Sequence, residues 1–114
     1  MTAPRLATYS IDGSTRYGVV TDGGIVDLSA RFSSEYPTLR EVIAAGALTQ
    51  LAEEAARHQP DHALDAINWL PPIPAPEKII CIGVNYPDRN AEYKDGQDAP
   101  KYPSMFMRTP RSFV

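Results

Sequence analysis

Between residues 71 and 76 the chain reads Pro71-Pro72-Ile73-Pro74-Ala75-Pro76, four prolines in six positions. Each proline ring fixes φ at about −65° and removes a backbone donor. Neither a helix interior nor a central strand can run through such a stretch, so it forms a stiff, extended connection. The 114 residues therefore divide into two parts. We read residues 1–72 as one small domain and residues 73–114 as the start of another.

The first part reads as an antiparallel meander followed by helices. Arg5 to Ile11 alternates as a strand and Asp12-Gly13-Ser14 turns it back. Thr15 to Thr21 is β-branched and aromatic and pairs with it as a hairpin. Asp22-Gly23-Gly24 makes a second tight turn, and Ile25 to Leu28 is a short third strand. Thr38-Leu39-Arg40-Glu41 has the capping-box form, which starts a helix over Leu39 to Ala45 that Gly46 closes. A second helix spans Leu48 to Arg57. Leu48, Leu51, Ala52 and Ala55 line one side, and Glu53, Glu54 and Arg57 face water. Pro60 ends it, and Ala66 to Leu70 is a further strand. Pro60 also separates His58 from His62, so the pair does not share a helix face; we expect solvated loop histidines.

In the second part, Lys78 to Val84 is the strongest strand, apolar on both faces and expected to be central. Cys81, the single cysteine, is expected to be buried there as a small hydrophobe, and no internal disulfide can form. Next comes Gly83-Val84-Asn85-Tyr86-Pro87-Asp88-Arg89-Asn90-Ala91-Glu92-Tyr93. Pro87 suits the first turn of a short helix to about Tyr93, on which Arg89 and Glu92, three apart, can meet. On spacing alone this is an ion pair on a solvated turn, worth at most about 1 kcal/mol.

Composition narrows the function classes. A formal charge of −3 lacks the basic footprint of a nucleic-acid binder. No apolar run is long enough for a membrane helix. The start, Met1-Thr2-Ala3-Pro4, lacks the basic-then-apolar form of a secretory leader, so a cytoplasmic protein is expected.

The last 45 or so residues carry a resemblance. Lys78-Ile79-Ile80-Cys81-Ile82-Gly83-Val84-Asn85-Tyr86 is similar to the "KIICVGLNY" strand that opens the catalytic part of fumarylacetoacetate hydrolase-type proteins. The preceding prolines resemble that family's usual linker. Ala99 to Val114 resembles its "P-x-x-F-x-K-x-x-x-S-x-V" stretch. Residues 1–70 fit the family's variable N-terminal domain in arrangement but carry no specific motif.

The resemblance implies an α+β fold: a small antiparallel meander with two short helices, then the first strand and lid helix of a mixed-β catalytic domain. It implies a metal-dependent enzyme acting on small anionic 2-oxo or enol dicarboxylates. Its reaction would be hydrolysis of a C–C bond, decarboxylation or isomerisation, as in aromatic catabolism. Mg²⁺ or Mn²⁺ would act as a Lewis acid, held by a Glu-x-Glu pair and an Asp expected beyond residue 114. The expected partners are the rest of the polypeptide and a second copy in a homodimer. These 114 residues alone are expected to be inactive.

The family's helix after the strand reads "N-Y-x-D-H-x-x-E". Asn85, Tyr86, Asp88 and Glu92 match it, and Arg89 stands where the family has His. An arginine cannot take a proton from water. The expectation thus moves from hydrolysis towards decarboxylation or isomerisation, with Glu92 as acid or base. Arg89 pairs with Glu92 or grips a substrate carboxylate. Asn85, Arg108 (at the family's Lys position) and Ser112 are the expected substrate contacts. Lys94 to Asp98 corresponds to a lid that orders over ligand. The competing reading is a non-catalytic binding or assembly module derived from the same family.

Overall fold

The computed structural model describes residues 3–83 and 101–112. It divides into two compact units, Met1–Pro74 and Ala75–Val114. Both are antiparallel, and the architecture is α+β.

In the first unit, strands β1 (Arg5–Ile11), β2 (Ser14–Thr21), β3 (Gly24–Asp27) and β4 (Asn68–Leu70) form one sheet in the order β3-β2-β1-β4. The β1–β2 loop has two residues, because Ile11 pairs with Ser14. Asp12 and Gly13 adopt φ values of 49° and 76°, as a tight hairpin of this twist requires. Three of the strands thus follow the turn residues closely. β4 is shorter than expected: the chain spends Leu64–Ala66 on a 3-10 turn before entering the sheet.

Helices α2 (Leu39–Ala44) and α3 (Leu48–Ala55) stand where capping and periodicity put them. The Glu41 carboxylate receives the Thr38 backbone N–H at 2.9 Å and the Thr38 hydroxyl as well. A short helix, α1 (Ser29–Phe32), was not anticipated, since four residues leave no periodicity to read.

The sheet register sorts side chains into two layers. Val19 opposite Val26 and Thr8 opposite Tyr17 face the helices. Tyr17, Val19, Val26 and Leu28 pack there with Leu39, Val42, Leu51 and Ala55. The other face carries Tyr9, Ile25 and Ile67, with Arg16 and Asp27 placed on it by their partners Tyr9 and Gly18. Returning chain also reaches β3: the Ile25 N–H donates to the His62 carbonyl at 2.9 Å, and the Ile25 carbonyl accepts from Asp61 N–H at 2.8 Å. Gly24 has φ 143°, and a Cβ there would lie 2.3 Å from the His62 carbonyl oxygen, so that approach needs a glycine. The first prolines are docked on this unit. Thr8 Oγ1 donates to the Pro72 carbonyl at 2.6 Å, and Ile73 packs against the helix-side core.

In the second unit β5 (Ile79–Gly83) pairs with β6 (Ser104–Arg108). The expectation of a buried central strand does not hold for the described residues. β5 has one partner there, and Ile80 and Ile82 are 61% and 48% exposed. An apolar run marks a strand that can be covered on both faces; it does not supply the cover. Cys81 is likewise half-buried rather than fully enclosed.

Candidate functional site

β6 ends at Arg108, and Pro110–Ser112 folds immediately into a 3-10 turn. Pro110 suits the start of such a turn because its ring pre-sets φ and no donor is needed there. The Ser112 N–H and its hydroxyl both donate to the Thr109 carbonyl, at 3.0 and 2.7 Å. The Ser112 carbonyl in turn accepts from Arg108 Nη2 at 3.3 Å. Two of the residues singled out for substrate contact are thereby brought together, with Arg108 exposed to solvent. One of the five guanidinium N–H groups is occupied by this bond. A cation held at the end of a strand in this way suits a carboxylate. Asn85, Arg89 and Glu92 lie outside the described residues, as do the anticipated lid helix and the Lys94 to Asp98 stretch.

A second polar cluster, in the first unit, escaped sequence reasoning. Asp27 ends β3 with a side chain only 3% exposed. Its Oδ2 accepts from Arg16 Nη1 at 2.8 Å, and its Oδ1 from the Ala30 N–H at 3.0 Å, which caps the start of α1. His62 Nε2 approaches the same Oδ2 at 3.4 Å. Asp61 accepts the Asp27 N–H at 2.7 Å and pairs with Arg31 at 3.0 Å. The Arg31 guanidinium beside Asp61 holds that carboxyl below the usual range. Tyr9 lies beneath with its hydroxyl fully buried and without a hydrogen-bond partner among the described residues. Burial, then the Asp27 charge, pushes its ionisation well up.

The two histidines lie in loops, as expected, but are partly enclosed and paired rather than fully solvated. His58 pairs with Glu54 at 2.9 Å, and His62 is half-buried between Asp27 and the Tyr9 ring, with ring centroids 6.0 Å apart. The available signal was Asp27 itself, an acid closing an apolar strand ahead of a turn. A shallow, open depression lined by Ser14, Arg16, Asp27, Asp61 and His62 marks the surface of this cluster. Its carboxylates are taken up by arginines and backbone donors, so the cluster is a tie between elements. Among the described residues no group of three or more His, Cys, Asp or Glu is placed to hold a metal ion.

No family model matches the chain. Among curated proteins it is similar to the mitochondrial oxaloacetate tautomerase fahd2 of Xenopus laevis, 37% identical over 105 residues, which is 89% of this chain and 32% of that protein. The mitochondrial oxaloacetate tautomerase FAHD2A of Bos taurus is 28% identical over 94 residues, covering 81% of this chain and 29% of the relative. Its Homo sapiens counterpart is 29% identical over the same length and shares. The chain belongs to the fumarylacetoacetate hydrolase family. It spans about a third of the length of the curated relatives it matches. These relatives of the fumarylacetoacetate hydrolase family are named as mitochondrial proteins. Among the described residues no helix is long and apolar enough to cross a membrane.

Proposed function

We propose that this chain is part of an enzyme that isomerises small 2-oxo acids between enol and keto forms, with oxaloacetate as the model substrate. The observation that carries the reading is the similarity over 89% of the chain to a protein named as an oxaloacetate tautomerase. Two further features support it. Arg89 in place of the family's His argues against water activation and for chemistry that needs none. Arg108, held by the Ser112 carbonyl, offers a cation to a substrate carboxylate.

In this reading Arg108 binds the carboxylate and orients the enol. Glu92 accepts the enol hydroxyl proton and returns a proton to the adjacent carbon, so no atom is gained or lost. Arg89 keeps Glu92 ionised or grips a second carboxylate; Asn85 and Ser112 are the remaining contacts. A divalent cation, Mg²⁺ or Mn²⁺, would stabilise negative charge on the enolised substrate. The proposed partners are further polypeptide of the same protein and a second copy. The proposed compartment is the cytoplasm or, as in the relatives' names, the mitochondrion.

The test follows the loss of enol absorbance of oxaloacetate in the full-length natural protein containing these residues, with Mg²⁺ and after chelation. Conversion well above the buffer rate is expected. Glu92→Gln should lower kcat by about 100-fold or more. A rate equal to buffer under both conditions would discard the enzyme reading in favour of the non-catalytic binding or assembly module.

A further inference from the structure

Ser112 spends its hydrogen-bonding capacity inside its own turn. Its hydroxyl carries one proton, and that proton goes to the Thr109 carbonyl at 2.7 Å. Its N–H donates to the same carbonyl at 3.0 Å. A substrate carboxylate offers acceptors only, so neither Ser112 donor is left over for it. The remaining group, the Ser112 carbonyl, accepts from Arg108 Nη2 at 3.3 Å. Each of these bonds serves either the turn or the cation.

Two arginines flank this turn, and one of them is held. Arg108 ends β6 and Arg111 lies within Pro110–Ser112; both are exposed. Among the described residues Arg108 is bonded and Arg111 is not. An exposed arginine samples many rotamers, and that freedom is lost when a ligand binds. A guanidinium already tied to a carbonyl has given up part of it in advance. At 3.3 Å the bond is long, so it biases the side chain rather than locking it. The carbonyl that supplies the bias is itself placed by a three-residue turn, begun by Pro110 and closed by the two Ser112 donors.

We infer that Ser112 is a positioning residue: its hydroxyl closes the turn that presents its carbonyl to Arg108, and Arg108 meets the substrate carboxylate. This inference rests on the reading of Arg108 given above and moves Ser112 from direct contact to support. Preordering a binding group acts on affinity and leaves the proton transfer at Glu92 untouched, so it shows in KM and not in kcat.

The experiment is a double-mutant cycle on oxaloacetate enol-to-keto conversion in the full-length natural protein with Mg²⁺. Ser112→Ala is expected to raise KM by about two- to tenfold, the range for one lost neutral hydrogen bond, with kcat unchanged. Ser112→Thr, which keeps the hydroxyl, should restore the wild-type KM. In an Arg108→Ala background Ser112→Ala should add nothing, because a residue that acts only through Arg108 has no second route to the substrate. Pro110→Ala, which relaxes the same turn, decides the cycle if Ser112→Ala fails to fold. The same rise in KM with and without Arg108 overturns the inference and leaves the proposed function standing. So does a wild-type KM in Ser112→Ala, a fall in its kcat, or a Thr variant no better than Ala. Arg108→Ala without effect on KM removes the reading of Arg108 and the inference with it. No activity of the wild type on oxaloacetate overturns the proposed function as well.

Discussion

Arg16 Nη1 stands 2.8 Å from Asp27 Oδ2, and while the Asp27 side chain is 3% exposed, that of Arg16 is 35% exposed. The pair is asymmetric: the carboxylate is enclosed and the guanidinium reaches out to water. Around Asp27 gather the Ala30 N–H, the His62 ring and, through its own backbone, Asp61. Asp27→Ala leaves Arg16 and the Ala30 N–H without their acceptor, while the backbone bond to Asp61 remains, so it should destabilise the first unit by about 3 kcal/mol, within the range for a broken buried pair. Chemical denaturation read by circular dichroism measures this. A loss under about 0.5 kcal/mol, the ordinary surface effect, would show the cluster to be incidental.

Acid should weaken the same region in a defined direction. The Asp61 carboxyl lies below its ordinary 3.8 chiefly because Arg31 donates to it. Glu41 and Glu54 are also lowered, first by their hydrogen bonds to Thr38 and His58. A carboxylate with a depressed folded value contributes its full stability above the unfolded value and loses it as pH falls through the folded one. The melting temperature should thus be insensitive to these groups near neutrality and decline below about pH 4. Asp61→Asn should lower the plateau and make the acid decline shallower. An acid limb of unchanged steepness in that variant would contradict the assignment.

The aliphatic face of the second unit should be detectable in the 114-residue chain itself. Ile80, Ile82, Met105 and Met107 are 61%, 48%, 73% and 66% exposed. Exposed apolar groups that adjoin one another bind hydrophobic dyes and other apolar surfaces. The double variant Ile80→Lys/Met107→Lys, which replaces a directly opposed pair, should markedly reduce dye fluorescence in the native chain. Equal fluorescence from both chains would mean that this face is covered.

Local chemistry carried much of the fold. Gly13 and the Asp22-Gly23 step gave the meander its turns, and Thr38 with Glu41 gave α2 its start, because each of these devices acts within four residues. The Asp27 tie joins residues up to 35 apart, and nothing in the spacing of Arg16, Asp27, Asp61 and His62 announces that the sheet register brings them together. The same logic explains Lys78 to Val84. Its composition made it a strand, but whether its faces are covered depends on non-local packing. At the candidate site, Arg108 was identifiable from its motif, while its bond to the Ser112 carbonyl needed the turn geometry after Pro110.

The contacts that His62 and Asp61 make to β3 also bear on how the chain behaves in company. β3 is the last strand on its side of the sheet, and its outward Ile25 and Asp27 groups would otherwise template strand addition by a neighbouring molecule. Ile25 N–H, Ile25 C=O and Asp27 N–H are each already bonded to residues 61 and 62. The returning loop therefore works as a guard against edge-to-edge aggregation, and Gly24, by admitting His62 so closely, is what lets the guard sit flush.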